Sequence, residues 1–158
     1  MNLDTRRTSL YIALIVAWTA TLGSLYFSEI RHFIPCTLCW YQRILMYPLS
    51  IILLVGIIRR DQGIAYYVLP FSSVGILVSS YHFLHQKTDL FSNSTACTSG
   101  VPCTSTWINW FGIITIPFLA LIAFLIITLM MILFLSQGQE EDEAVETEEL
   151  SSPPLEAK

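Results

Sequence analysis

The chain has 158 residues, of which 54% are hydrophobic and only 13% are charged. A water-soluble domain carries about twice that share of charge, so the composition argues against one and indicates a membrane protein. The formal net charge of -4 at pH 7 comes mainly from one stretch, Glu140 to Glu149, and the remainder is slightly basic, which gives no reason to expect nucleic-acid binding.

Four apolar segments of membrane-spanning length follow one another along the chain. They predict an all-α membrane protein, a four-transmembrane-helix bundle that occupies residues 1–135. The spans are expected at about residues 10–27, 39–58, 64–84 and 111–135. The first segment also fits the apolar core of a signal peptide, but its length and the three later spans favour a retained helix. Residues 136–158 are acidic and lack aromatic residues, which predicts a disordered cytoplasmic tail.

Positive charge predicts the orientation of the bundle in the membrane. Four arginines flank the N-terminus and the turn between the second and third spans, whereas the other two loops contain only Arg31 and Lys87. The four are Arg6, Arg7, Arg59 and Arg60. Since basic loops stay inside, both termini are expected in the cytoplasm and both cysteine-bearing loops outside. Disulfides persist on that outer side.

The first cysteine pair lies in the segment Pro35-Cys36-Thr37-Leu38-Cys39-Trp40-Tyr41-Gln42-Arg43, where a polar loop enters the second span. Pro35 favours a helix start, and the positive end of a helix favours thiolate over thiol. Two cysteines this close can form a disulfide that opens and closes readily. Arg43 lies on the same helix face as Cys39 and can stabilise negative charge on a sulfur or a ligand. Alternatively, its side chain only extends to the membrane surface.

The second pair, Cys97 and Cys103, lies in the second outer loop. Ser99-Gly100-Val101-Pro102 is turn-forming and can bring the two cysteines within disulfide reach. The residues alone leave open whether this pair is redox-active or a structural link. No metal site is expected, because the two pairs do not have the matched spacing of a structural zinc site.

The Pro-Cys-x-x-Cys-Trp-Tyr-Gln-Arg motif at a membrane helix entrance resembles the DsbB family of membrane thiol–disulfide oxidoreductases, and most closely its short BdbC-type branch. The resemblance covers about residues 10–135. It implies two redox-active disulfides, Cys36–Cys39 and Cys97–Cys103. A DsbA-like thioredoxin-fold partner is expected to attack Cys97, after which Cys103 attacks Cys36 and Cys39 delivers the electrons to a quinone, with menaquinone expected for this branch.

The resemblance also implies a quinone site and a cellular location. Arg43 takes the position of the family's quinone-contacting arginine, and His85 that of a nearby histidine, with His82 as the alternative. The expected location is the plasma membrane of a bacterium, crossed several times, where the protein supports disulfide formation in exported proteins. Only five residues separate Cys97 from Cys103, whereas long-loop family members have these cysteines far apart, which limits how far Cys103 can travel.

Other readings remain open from the sequence. A vitamin K epoxide reductase-like protein also combines a helical bundle with two cysteine pairs, but there the loop pair comes before the Cys-x-x-Cys. A non-enzymatic assembly factor would use both disulfides only structurally. A transporter is disfavoured because no charged residue lies deep within a span.

Overall fold

The computed structural model describes residues 3–88, 103 and 114–151, with side chains for 6–88, 103 and 114–138. This part of the chain is helical almost throughout. Its elements are α1 (Leu3–Leu25), which continues into a π-helical turn (Tyr26–Ile30), α2 (Thr37–Arg59), α3 (Ile64–Lys87) and α4 (Ile116–Ser151).

Each helix contains a segment long and apolar enough to cross a membrane. The segments have 25, 23, 24 and 23 residues, where about 20 suffice for a hydrocarbon core of about 30 Å. They are Arg6–Ile30, Thr37–Arg59, Ile64–Lys87 and Ile116–Gly138. The predicted all-α fold with four membrane-spanning helices is therefore confirmed.

Each helix packs against two others, because contacts join α1 to α2, α2 to α3, α3 to α4 and α4 back to α1. The centre of the bundle is filled by fully buried side chains such as Leu49, Leu53, Val68 and Phe124. Gly75 lets α3 approach α4 closely, since a Cβ atom at this position would overlap the ring of Phe124. Small residues at such crossings are typical of membrane helices, whose association depends on close packing.

Hydroxyl pairs link neighbouring helices within the apolar interior. Thr21 Oγ1 lies 2.8 Å from Ser50 Oγ, which joins α1 to α2. Thr128 Oγ1 donates to Ser72 Oγ at 2.9 Å, which joins α4 to α3. Each such bond in a membrane contributes about 0.6 kcal/mol on average, so these pairs set helix register more than overall stability.

The N-terminus, the α2–α3 turn and the distal part of α4 meet at one end of the bundle. Arg60 adopts a left-handed conformation (φ 54°), and its backbone N–H donates to the carbonyls of Gly56 and Ile57. Arg6 and Phe134 line the same cavity as Arg60, and the Arg6 guanidinium lies over the Phe134 ring at 4.4 Å. The first cysteine pair lies at the opposite end. The arginine-bearing segments therefore share one end of the bundle, as the charges predict. Which end faces the cytoplasm stays a prediction.

The last helix differs from its predicted bounds at both ends. It begins at Ile116 rather than near residue 111, with Pro117 in its first turn, where proline's fixed φ suits a helix start. It continues through Ser151, which corrects the prediction that disorder begins at residue 136. Glutamate and alanine after Gly138 are good helix formers, and no proline interrupts them before Pro153. Residues 104–113 and 152–158 lie outside the described part.

Candidate functional site: a cysteine cluster beside an apolar cavity

Cys36 forms the N-terminal cap of α2. It has an extended backbone (φ -74°, ψ 171°), and its Sγ accepts a hydrogen bond from the backbone N–H of Cys39 at 3.3 Å. The helix then begins at Thr37, directly after Pro35 and Cys36, as the sequence predicted. The N–H of Cys39 is one of the free N–H groups of this first turn, and the positive end of the helix favours negative charge on the sulfur.

The two thiols of the Cys-x-x-Cys motif are adjacent. Cys36 and Cys39 are both free, with their Sγ atoms 2.7 Å apart. The hydrogen bond from the Cys39 thiol lowers the pKa of Cys36 well below its ordinary value, and His82 lowers it further, although burial acts in the opposite direction. Cys36 is therefore the more acidic thiol of the pair and the one that more readily carries negative charge. That the two cysteines form a redox-active disulfide stays a prediction.

His82, on α3, also contacts the sulfur of Cys36. The imidazole is fully buried, with Nε2 3.6 Å from Cys36 Sγ and Nδ1 3.1 Å from Nε2 of Gln42. A side-chain amide nitrogen only donates, so in this arrangement a neutral His82 accepts at Nδ1 and carries its proton on Nε2. That proton then points at the Cys36 sulfur. The buried chain Gln42–His82–Cys36 thus joins α2 to α3 at the site.

Cys103, which follows α3 in the chain, lies close to Cys36 and His82. It is buried and takes part in a disulfide bond, and its predicted partner, Cys97, lies outside the described residues. Cys103 Sγ, Cys36 Sγ and a ring nitrogen of His82 all lie within 4.8 Å of one another. Gln86, near the end of α3, donates to the Cys103 carbonyl at 3.2 Å. Two sulfurs this close can reach each other for exchange with small side-chain movements.

An apolar cavity of about 470 Å³ lies on the other side of Cys39, between α1, α2 and α4. Cys39, Gln42 and Arg43 contribute to its lining, which is otherwise mostly apolar. The Arg43 guanidinium donates to the Ser24 carbonyl at 3.1 Å and lies over the Trp40 ring at 5.5 Å. Arg43 is therefore held in the cavity wall by α1, and is not simply extended toward the membrane surface.

His85, the histidine predicted to lie near the quinone, does not border this cavity. His85 is buried, with its ring 6.1 Å edge-on from that of Tyr81, and it is not among the described residues that line the cavity. His82, which the sequence offered only as the alternative, contacts Cys36 instead. Gln42 had no predicted role in the site. Its signal was a polar amide within an apolar span, three residues beyond Cys39.

Comparison with known proteins identifies the family. The sequence model described as "Disulfide bond formation protein DsbB" matches residues 6–134. The chain belongs to the DsbB family. It is 55% identical over 131 residues to "Disulfide bond formation protein C" of Bacillus subtilis (strain 168), which covers 83% of this chain and 95% of that protein.

Further relatives of this DsbB-family chain carry similar names. "Probable disulfide formation protein C" of Halalkalibacterium halodurans is 51% identical over 123 residues, 78% of this chain and 90% of that protein. "Probable disulfide formation protein C 1" of Bacillus anthracis is 54% identical over 119 residues, 73% of this chain and 86% of that protein. No solved structure gives a significant match. The predicted family and its BdbC-type branch are confirmed, and the chain is a multi-pass membrane protein and a disulfide oxidoreductase.

Proposed function

We propose that the chain reoxidises an extracytoplasmic DsbA-like thioredoxin-fold protein and passes the electrons to a membrane quinone, in support of disulfide formation in exported proteins. The observation that carries this proposal is the position of Cys36. Its sulfur lies within 4.8 Å of Cys103 Sγ on one side and 2.7 Å from Cys39 Sγ on the other. One sulfur therefore connects the outer-loop cysteine with the cysteine that faces the cavity.

The exchange begins with both cysteine pairs oxidised. A thiolate of the partner attacks Cys97, forms a mixed disulfide with it and releases Cys103 as a thiolate. The partner's second thiol resolves that mixed disulfide, so the partner leaves oxidised and Cys97 is freed. Cys103 attacks the Cys36 sulfur, which breaks the Cys36–Cys39 bond and leaves Cys39 with the electron pair.

The loop disulfide is then restored within the chain. The Cys97 thiolate attacks Cys103, re-forms the Cys97–Cys103 bond and releases Cys36. The Nε2 proton of His82 faces Cys36 and stabilises the thiolate that leaves. The end state has reduced Cys36 and Cys39 and a re-formed disulfide between Cys97 and Cys103.

The cavity beside Cys39 fits a quinone in size and chemistry. Ligand sites of about 300–1,000 Å³ with apolar walls and a few polar groups are typical for small molecules, and this one measures about 470 Å³. Arg43 and Gln42 can donate to carbonyl oxygens of such a ring, and Cys39 lies in the same wall. A quinone, in this branch menaquinone, would supply a two-electron oxidant there. Arg43 would stabilise negative charge on Cys39 and on the bound ligand.

A coupled assay in lipid tests the proposal. The purified protein is mixed with a reduced thioredoxin-fold dithiol protein and menaquinone, and quinone absorbance and partner thiols are followed together. We expect one partner disulfide per quinone reduced. Cys39→Ala should stop both signals, whereas Arg31→Met, which removes a cation from the first outer loop, should leave both unchanged. Unchanged thiols and quinone with the unmodified protein, across several partners and quinones, would favour purely structural disulfides.

A further inference from the structure

We propose that reduction of the disulfide at Cys103 converts Cys36, His82 and Cys103 into a binding site for a thiophilic divalent metal ion such as Zn²⁺, which holds the enzyme in its fully reduced, inactive form. The inference rests on the proposed function in one respect, because the relay is what generates a free Cys103 thiol during turnover. The binding site itself follows from the positions of the three side chains.

The separation of one pair of ligand atoms matches tetrahedral zinc, and the other two separations exceed the distance between two zinc-bound sulfurs by about 1 Å at most. Zn–S bonds of about 2.3 Å and Zn–N bonds of about 2.1 Å at tetrahedral angles place sulfur and nitrogen about 3.6 Å apart and two sulfurs about 3.8 Å apart. Cys36 Sγ lies 3.6 Å from His82 Nε2, and Cys103 Sγ completes a triangle with all sides within 4.8 Å. All three residues are buried, so a bound ion would be shielded from competing water.

Cys39 can provide the fourth ligand. Its Sγ lies 2.7 Å from Cys36 Sγ, and a separation larger by about 1 Å matches the tetrahedral edge between two thiolates. The complete set would be three cysteines and one histidine, which is one of the closed ligand sets of structural zinc sites. Sequence spacing could not reveal it, because only the Cys-x-x-Cys half is local and the rest comes from α3 and the second outer loop.

Gln42 supplies the support that a metal-bound histidine requires. A ligating histidine usually donates its other ring N–H to a neighbouring oxygen, which fixes the ring orientation. Gln42 is buried, and its amide already contacts His82 Nδ1 at 3.1 Å. With the ion on Nε2, Nδ1 carries the proton, and a 180° turn of the Gln42 amide presents its oxygen to that proton.

Metal binding and electron relay exclude each other. Reduction of the disulfide takes two electrons and two protons from a dithiol, which itself becomes a disulfide. The ion then binds Cys36, Cys39 and Cys103 as thiolates. Their remaining thiol protons are released to solvent, and the metal stays divalent. With these three sulfurs bound to the metal, neither the Cys36–Cys39 nor the Cys97–Cys103 disulfide can re-form, so the exchange stops until the metal is removed. An oxidised chain cannot bind the ion in this way, because its sulfurs are bonded to one another.

Metal titration without quinone or partner tests this inference. The protein in detergent is reduced, freed of the reductant under inert gas and titrated with Co²⁺, and its oxidised form is titrated alongside. We expect the reduced form to bind one Co²⁺, with sulfur-to-cobalt charge-transfer absorption and tetrahedral d–d bands that Zn²⁺ abolishes. The oxidised form should show neither. Equal binding by both forms would overturn the proposal.

Two variants test the role of His82 as a ligand, and a third serves as their control. His82→Ala should lower Zn²⁺ affinity by more than about 100-fold, and Gln42→Leu, which removes only an outer contact, by about 10–100-fold. His32→Ala is the matched control, since this exposed histidine lies outside the site, and its affinity should equal that of the unmodified protein. Wild-type affinity in both His82→Ala and Gln42→Leu would contradict the assigned ligands.

A further variant protects the test against loss of the fold. Cys97→Ser removes the predicted disulfide partner of Cys103 and should bind Co²⁺ at Cys103 without reduction of the loop. Helix content and unfolding temperature of every variant are recorded beside its titration. Failure of a correctly folded Cys97→Ser variant, with Cys36 and Cys39 reduced, would refute the site. Because no partner or quinone is present, loss of relay activity and loss of metal binding are distinguished.

Discussion

Gln42 of α2 and His82 of α3 are in contact through the Gln42 Nε2 and His82 Nδ1 atoms, 3.1 Å apart in the buried interior. The contact orients the imidazole so that its second nitrogen faces Cys36 at 3.6 Å. Two helices are therefore needed to define the environment of one sulfur. A displacement of α3 relative to α2 would alter the reactivity of Cys36 without touching the Cys-x-x-Cys motif.

Removal of the neighbouring thiol should raise the pKa of Cys36. The Cys39 hydrogen bond is the largest cause of its lowered pKa, so in Cys39→Ala the thiolate should form only at higher pH. Ultraviolet thiolate absorbance of the reduced protein, corrected with Cys36→Ala, gives the titration midpoint. We expect Cys39→Ala to raise this midpoint by at least about one pH unit, a tenfold change in the ionisation constant. An unchanged midpoint would show that another group stabilises the thiolate.

Loss of the Arg43 cation should weaken quinone use. A hydrogen bond to a charged group contributes about 1.5–3 kcal/mol, so Arg43→Met should raise the apparent KM for menaquinone by about 10-fold or more. The measurement is the initial rate of quinone reduction against quinone concentration, with the partner in excess. Arg59→Met serves as control, because Arg59 lies in the last turn of α2, at the end of this helix away from Cys39, and does not line the cavity. Equal KM values for the two variants would remove Arg43 from the site.

A side chain at Gly75 should destabilise the bundle. Its Cβ would overlap the buried Phe124 ring, and overpacking of this kind costs about 1–3 kcal/mol. Gly75→Ala should therefore lower the unfolding temperature in detergent, measured by loss of helical circular dichroism. At Gly23 a Cβ meets nothing within 4 Å, so Gly23→Ala should unfold at the temperature of the unmodified protein. Equal values for both variants would contradict the close packing of α3 on α4.

The membrane orientation can be tested with two reporters. The arginines around the N-terminus and the α2–α3 turn predict that this end faces the cytoplasm. A fluorescent protein that matures only in the cytoplasm should be fluorescent when fused after Lys158. A cysteine at Gln62, in the turn, should resist a membrane-impermeant maleimide in intact cells and react after permeabilisation. Labelling of Gln62→Cys in intact cells would reverse the assignment.

The helices and the first cysteine pair were predictable because their signals are local. Apolar stretches long enough to cross a bilayer give the four spans, and Pro35 beside Cys36 marks the start of α2. The contact of His82 with Cys36 was not predictable, since it depends on how α3 is rotated against α2, and the quinone-binding role of His85 stays a prediction. The closeness of Cys103 to Cys36 likewise depends on the tertiary structure, including the Gln86 contact at the end of α3. Because Cys103 already lies close to Cys36, exchange between them would need only a short movement of Cys103.

The capping role of Cys36 links its oxidation state to the stability of the first turn of α2. A thiolate is a strong acceptor for the N–H of Cys39, whereas a disulfide sulfur is a weak one. In the proposed exchange cycle the first turn of α2 is therefore strengthened and then weakened once per turnover, by an amount comparable with the loss of a helix cap, about 1 kcal/mol. The start of this helix should be most stable when Cys36 is a thiolate and least stable when Cys36 is in a disulfide. Fraying at this helix end would then report the oxidation state of Cys36.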